Sequence, residues 1–251
     1  MTRPPYLSGV RVVAERLPST SGYPFDIPFV RTLDLALDSV VTVFVGENGS
    51  GKSTLLEAIA SLARFPVAGG SRYELGASYA PESESALASV LRPTFNSRPR
   101  DGYFLRAEFQ AHFASLLEAR KRGGFPGNPY AAYGGKSLHE RSHGEAFLSV
   151  ILNRFRDGLF LLDEPEAALS PQRQLALLAK MHDLVQSGAA QFIVATHSPI
   201  LMTFPGAQLV SFDDPALPRI QIEDTSHFEI TRGMLDNPAR YWKHLLDSAS
   251  T

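Results

Sequence analysis

The stretch that most constrains the fold is Gly46-Glu47-Asn48-Gly49-Ser50-Gly51-Lys52-Ser53-Thr54. It follows a β-branched run, 40–45, and precedes Leu55, Leu56, Ile59, Leu62 and Ala63, which recur at helical spacing until Pro66 and Gly69-Gly70 stop the helix. That order describes a buried strand turning through a glycine-rich loop straight into a helix. The spacing Gly-x-x-x-x-Gly-Lys-Ser in this context suits a polyphosphate. Glycines let backbone N–H groups curl around phosphate oxygens, and the helix N-terminus adds partial positive charge. Lys52 then reaches the β and γ phosphates, and Ser53 is a ligand for Mg²⁺.

Strands and helices alternate along most of the remaining chain. Short strands are expected at 10–13 and 32–37 around the turn-rich stretch 18–28, then a strand at 103–105, a helix at 107–122 and a loop at 123–136. A helix after Gly144 shows an apolar face of Phe147, Leu148, Ile151, Leu152 and Phe155 and runs into the strand 159–162. Helix 171–185, strand 192–195, a short helix from Pro199, strands 208–212 and 219–223 and a helical tail to Leu246 complete the order. This is the pattern of an α/β fold with a mostly parallel sheet covered by helices on both faces, plus a short N-terminal antiparallel β region. Its length suits one domain, 1–251, with a helical and loop insertion at 67–141 and a C-terminal region at 201–251. Ligands of such sheets sit at the carboxyl ends of the strands.

One of those ends carries two carboxylates. Leu159-Phe160-Leu161-Leu162 delivers Asp163 and Glu164 side by side, a costly arrangement without a cation. Asp163 is expected to hold Mg²⁺ through water, and Glu164 to polarise an attacking water as general base.

The formal net charge of −2 provides no global basic field for nucleic acid. Arg92, Arg98, Arg100, Arg106, Arg120, Lys121 and Arg122 read as solvated surface, which leaves DNA binding open. With no cysteine, disulfides and thiolate metal sites are excluded, and no apolar run is long enough to span a bilayer. A cytoplasmic protein is expected.

Asp163-Glu164-Pro165, Ala168-Leu169-Ser170-Pro171 and Ala195-Thr196-His197-Ser198 resemble the Walker B segment, D-loop and H-loop of ATP-binding cassette (ABC) ATPases. The resemblance extends from the strands before Gly46 to just past His197. It implies that His197 contacts the γ phosphate of ATP, and that Ala168 and Leu169 lie near a second subunit. The family's signature loop would be Arg141-Ser142-His143-Gly144-Glu145, in which Ser142 and Gly144 match and His143 and Glu145 depart. It implies a homodimer with ATP at the interface. The alternative for Ser142 is a simple helix cap.

Glu108 and Gln110 are both candidates for the Mg²⁺-sensing glutamine position. Tyr23 or Phe25 stands for the aromatic that stacks on adenine, with core packing an equal alternative. Glu166 in the Walker B segment and the Ser-His-Gly-Glu signature look more like predicted AAA-family ATPases of the SMC, RecF and OLD-related branch than like importers or exporters. The expected function is Mg²⁺-dependent ATP hydrolysis by a soluble dimer in DNA maintenance or defence, with a protein or nucleic-acid partner. The motor subunit of an ABC transporter is the alternative. His227 has no partner visible in the sequence and reads as a packing or surface histidine.

Overall fold

The computed structural model describes residues 3–20, 22–72, 85–107, 118, 121–122, 128, 130–135, 137 and 142–248. Within them the strands are β1 (Leu7–Val12), β2 (Asp34–Ala36), β3 (Val41–Val45), β4 (Leu91–Phe95), β5 (Gly102–Arg106), β6 (Gly158–Asp163), β7 (Ala190–Ala195), β8 (Gln208–Ser211) and β9 (Arg219–Ile220). The α-helices are α1 (Lys52–Leu62), α2 (His143–Arg154), α3 (Pro171–Gln186), α4 (Pro199–Met202), α5 (Ser226–Asp236) and α6 (Pro238–Ser248).

Six strands form the central sheet in the order β5-β6-β7-β3-β8-β9, parallel except for the edge strand β9. Strands β3, β6 and β7 are buried at every position, as a parallel strand covered on both faces requires. Alternation along β3 divides the core. Val41, Val43 and Val45 join one apolar cluster with the inner faces of α2 and α3, while Phe44 joins a second beneath α1. In the first cluster Phe160 stacks between Phe155 and Phe192, with ring centroids 4.3 and 5.2 Å away.

The small antiparallel sheet, β2-β1-β4, lies on the α1 side, where Leu7, Val10, Leu35 and Leu91 join Leu55 and Ile59 in the second cluster. Its third strand, β4, comes from 91–95, so this sheet is not wholly N-terminal as the sequence predicts. The expected strand 32–37 shortens to β2 because a 3-10 turn occupies Val30–Thr32. The strand expected at 219–223 shortens to β9 because Ile222–Asp224 is a second such turn, capped by Gln221 and Asp224. Most of the helix expected at 107–122 lies outside the described residues.

Gln191 joins the two sheets. Its buried side-chain amide accepts from the backbone N–H of Leu7 at 2.9 Å and donates to the carbonyl of Leu7 at 2.7 Å. One side chain thus stands in for a strand neighbour of β1.

Candidate functional site

The carboxyl ends of β3, β5, β6 and β7 lie level with one another. Register pairs Phe44 with Ala195, Asp163 with Ala195, and Arg106 with Asp163. The loop after β3 enters α1 through Gly51, whose φ of 96° is left-handed. A Cβ there would meet Phe29 Cε1 at 2.7 Å, so both backbone and space demand glycine. Asp213, after β8, accepts from the Glu47 amide at 2.7 Å and fixes the start of the loop.

Lys52 folds across the loop. Its Nζ donates to the carbonyls of Gly46 at 2.7 Å and Glu47 at 2.8 Å, and reaches Ser50 Oγ at 3.4 Å. Burial pulls its pKa below the usual lysine value, against the carboxylates of Glu164, Asp213, Asp163 and Glu47. Tyr23 is 74% exposed and its hydroxyl lies 2.9 Å from Thr54 Oγ1, in the first turn of α1. Phe25 is partly buried against the core. Of the two aromatic candidates, Tyr23 is the exposed one beside the loop.

Asp163 is buried, and burial raises its pKa to about 6 despite Arg106 and a hydrogen bond from Ser53. Ser53 Oγ donates to Asp163 Oδ1 at 2.8 Å, and Arg106 Nε stands 3.4 Å from Oδ2. Arg106 also pairs with Glu57 of α1 at 2.7 Å. The sequence alone puts Arg106 on the solvated surface. It is instead largely buried, since it ends an apolar strand at the level where β6 ends in Asp163.

A hydroxyl and one carboxylate oxygen 2.8 Å apart, without a protein cage, fit a Mg²⁺ ion that brings phosphate and water ligands of its own. Among the described residues there is no cluster of three or more acidic, histidine or cysteine side chains able to hold a metal alone.

Glu164 adopts φ 47° and ψ 52°, a left-handed conformation that costs a non-glycine residue about 1–2 kcal/mol. Its N–H is bonded to Ala195 O at 2.9 Å, and the kink projects a half-exposed carboxylate toward His197. His197 Nε2 stands 3.5 Å from Glu164 Oε1, and His197 Nδ1 lies 2.9 Å from His227 Nε2. His227 is thus bonded within the site, where the sequence had suggested a packing or surface role. It is 30 residues from its partner, and no local pattern signals such a pair.

Two further side chains act as connectors that no motif in the sequence predicts. Glu166 Oε1 accepts from the His197 amide at 2.5 Å. Gln174 donates to Leu169 O at 3.0 Å and accepts from Ser198 Oγ at 2.6 Å, tying the segment after β6 to the one after β7. Its signal was present: Gln174 shares the buried stripe of α3 with Leu177, Met181 and Leu184.

Ser142 caps α2, accepting from the Glu145 amide at 3.3 Å while Glu145 Oε2 accepts from the Ser142 amide at 3.0 Å. The glutamate that departs from the signature pattern completes this reciprocal cap and pairs with Arg173 at 3.5 Å. A Cβ on Gly144 would lie 2.8 Å from Ala168 O, so α2 rests directly on the segment after β6. Arg141, Glu108 and Gln110 lie outside the described residues.

The sequence matches the family model described as "AAA domain, putative AbiEii toxin, Type IV TA system" over residues 41–123 and 111–203, together more than half of the chain. The chain belongs to this family and is an ABC-type P-loop ATPase. A search of curated proteins finds no match. Among solved structures, the ATPase is similar to "An inward-facing conformation of a putative metal-chelate type ABC transporter", at 19% identity and TM-score 0.50, over 90% of this chain and 87% of that one. It is also similar to CbiO1 of Clostridium perfringens, part of an ABC transporter complex, at 16% identity and TM-score 0.48, over 96% and 99% of the two chains. An SMC head domain from Thermotoga maritima aligns at 13% identity and TM-score 0.43, over 82% and 94%. The first of these likenesses is one of fold. Among the described residues of the ATPase, no helix is long and apolar enough to cross a membrane.

Proposed function

We propose that the ATPase hydrolyses ATP with Mg²⁺ while two copies close head-to-tail around the nucleotide. The observation that carries this reading is the hydrogen bond of 2.8 Å between Ser53 and the buried Asp163, which joins the loop after β3 to the end of β6 where a nucleotide's cation would be held. Mg²⁺, when bound by Ser53 and Asp163, supplies charge neutralisation at the β and γ phosphates.

The chain's own groups supply the rest. Lys52 exchanges its loop carbonyls for phosphate oxygens, an exchange favoured because a buried ammonium gains more from anions than from carbonyl dipoles. The amides from Gly49 to Thr54 cradle the phosphates, together with the opening of α1. Tyr23 offers its exposed ring to the adenine. Glu164 takes the proton of the attacking water, and His197, 3.5 Å from that carboxylate, contacts the γ phosphate. Ser142 and Gly144 act on the nucleotide of the second copy. Their support is the packing of α2 on Ala168, which links the signature segment to the segment that carries Glu164.

The family description names a toxin–antitoxin system, which supports a setting in cellular defence over one in transport. Mixing tests the shared site. Ser142→Arg and Lys52→Ala proteins, each inactive alone, are expected to recover about a quarter of wild-type turnover per dimer when combined, because random pairing gives half mixed dimers with one intact site each. Mixed dimers that form, by pull-down of a tagged copy, and yet hydrolyse no ATP would contradict the trans arrangement.

A further inference from the structure

His227 belongs to the first turn of α5 and has no role in the chemistry above. Its place is nevertheless well determined. Thr225 caps α5, accepting from the Phe228 amide at 3.2 Å, and its buried hydroxyl donates to Ile222 O at 2.7 Å. The neighbouring Ser226 Oγ lies 3.3 Å from Glu47 Oε1 in the phosphate loop. The start of α5 is therefore tied to the loop after β3 and, through His227, to the segment after β7.

The proton positions follow from the partners. A neutral imidazole carries one N–H and one lone pair. Burial holds the His197 pKa below the usual histidine value, with the Lys52 charge acting in the same direction and Glu164 opposing it, which favours the neutral ring. The Glu164 carboxylate, 3.5 Å from Nε2 but not hydrogen-bonded to it, attracts the proton electrostatically and favours the tautomer with hydrogen on His197 Nε2. The lone pair is then on Nδ1, and the bond of 2.9 Å requires His227 Nε2–H as donor. His197 Nε2 itself is buried without a hydrogen-bond partner among the described residues. Such a group is costly unless an acceptor arrives, and a phosphate oxygen is one.

We propose that His227 is a positioning residue: it donates Nε2–H to His197 Nδ1, fixes the ring, and keeps the His197 proton on Nε2, ready for a phosphate oxygen. The consequence for turnover rests on the ATPase reading above; the tautomer does not. Through this bond and that of Ser226 to Glu47, the C-terminal helix pair becomes part of the machinery and is no longer an appendage.

The experiment compares the full-length wild-type, His227→Leu and His227→Gln proteins. Leucine removes the donor, whereas the glutamine amide reaches about where Nε2 stands and donates from there. Two-bond nitrogen–proton spectra of the histidine rings, with His197→Gln for assignment, are expected to show His197 as the Nε2–H tautomer in wild type and Gln and as a mixture in Leu. ATP turnover at saturation is expected to fall about tenfold or more in Leu, with ATP affinity changed less than about threefold, and to recover largely in Gln. Unchanged turnover in Leu, or a His197 tautomer identical in all three proteins, would overturn the proposal. So would a Gln variant as impaired as Leu with affinity and thermal midpoint falling together, the mark of a merely structural role. Should wild type hydrolyse no ATP, the ATPase mechanism fails, and the spectra alone still decide the histidine pair.

Discussion

At the scale of single residues, Lys52 shows how the site is arranged before substrate arrives. Its three hydrogen bonds all run to the loop that precedes it, so the ammonium is held across that loop, where the proposed mechanism puts the phosphates. Lys52→Ala is expected to lower ATP affinity by about 100-fold or more, since the loop loses the ammonium held across it, while the thermal midpoint shifts by only a few degrees. Calorimetric titration of nucleotide into the folded variant checks this; an unchanged affinity would mean the loop does not hold phosphate. Lys52, Ser53, Asp163 and Glu164 are legible in the sequence because each belongs to a short motif whose context is local: an apolar strand, then a turn. Arg106 and His227 are not, because their meaning lies in partners 57 and 30 residues away, Asp163 and His197 respectively.

Among the elements, legibility follows burial. Strands β3, β6 and β7 are continuous apolar runs between turn residues, and helices α1 to α3 carry apolar stripes, so these were readable to within a few residues. Strand β4 was not. Its sequence, Leu-Arg-Pro-Thr-Phe, alternates weakly and contains a proline, which a central strand would not tolerate. Among the described residues it is an edge strand paired with β1, and Pro93 sits opposite Val10. The join between the sheets was equally hidden, because Gln191 and Tyr6 act across more than 180 residues.

Tyr6 makes that join sensitive to alkali. Its buried hydroxyl is shared between Asp157 Oδ1 at 3.0 Å and Ala189 O at 3.1 Å, and burial, with the Asp157 carboxylate, pushes its pKa to about 12. The folded chain keeps a proton that the unfolded chain releases near 10. This contribution is fully present below pH 10 and is lost as pH rises toward 12, by up to about 3 kcal/mol. Tyr6→Phe is expected to be about 1 kcal/mol less stable than wild type at pH 8, and the gap should close or reverse by pH 11. Urea unfolding of both proteins at the two pH values measures this, and a gap independent of pH would mean that the hydroxyl does not hold its proton.

For the whole molecule, the two apolar clusters on either side of the sheet leave the strand ends as the place where every chemical group meets. Glu164 in its left-handed turn, His197 beside it and the capped start of α2 on Ala168 all sit at or near that edge. A single copy lacks, in the proposed mechanism, the Ser142 of a second one, so ATP becomes part of the interface. Glu164→Gln tests this directly. Glutamine keeps the size of the side chain and one acceptor but takes no proton, so binding and closure survive while the hydrolytic step slows by a factor of about 100 to 10,000. Size-exclusion chromatography with light scattering should then show Glu164→Gln as a dimer with ATP and Mg²⁺ and as a monomer when either is withheld. A Glu164→Gln protein that binds ATP normally yet stays monomeric at saturating ATP and Mg²⁺ would contradict the shared-site mechanism.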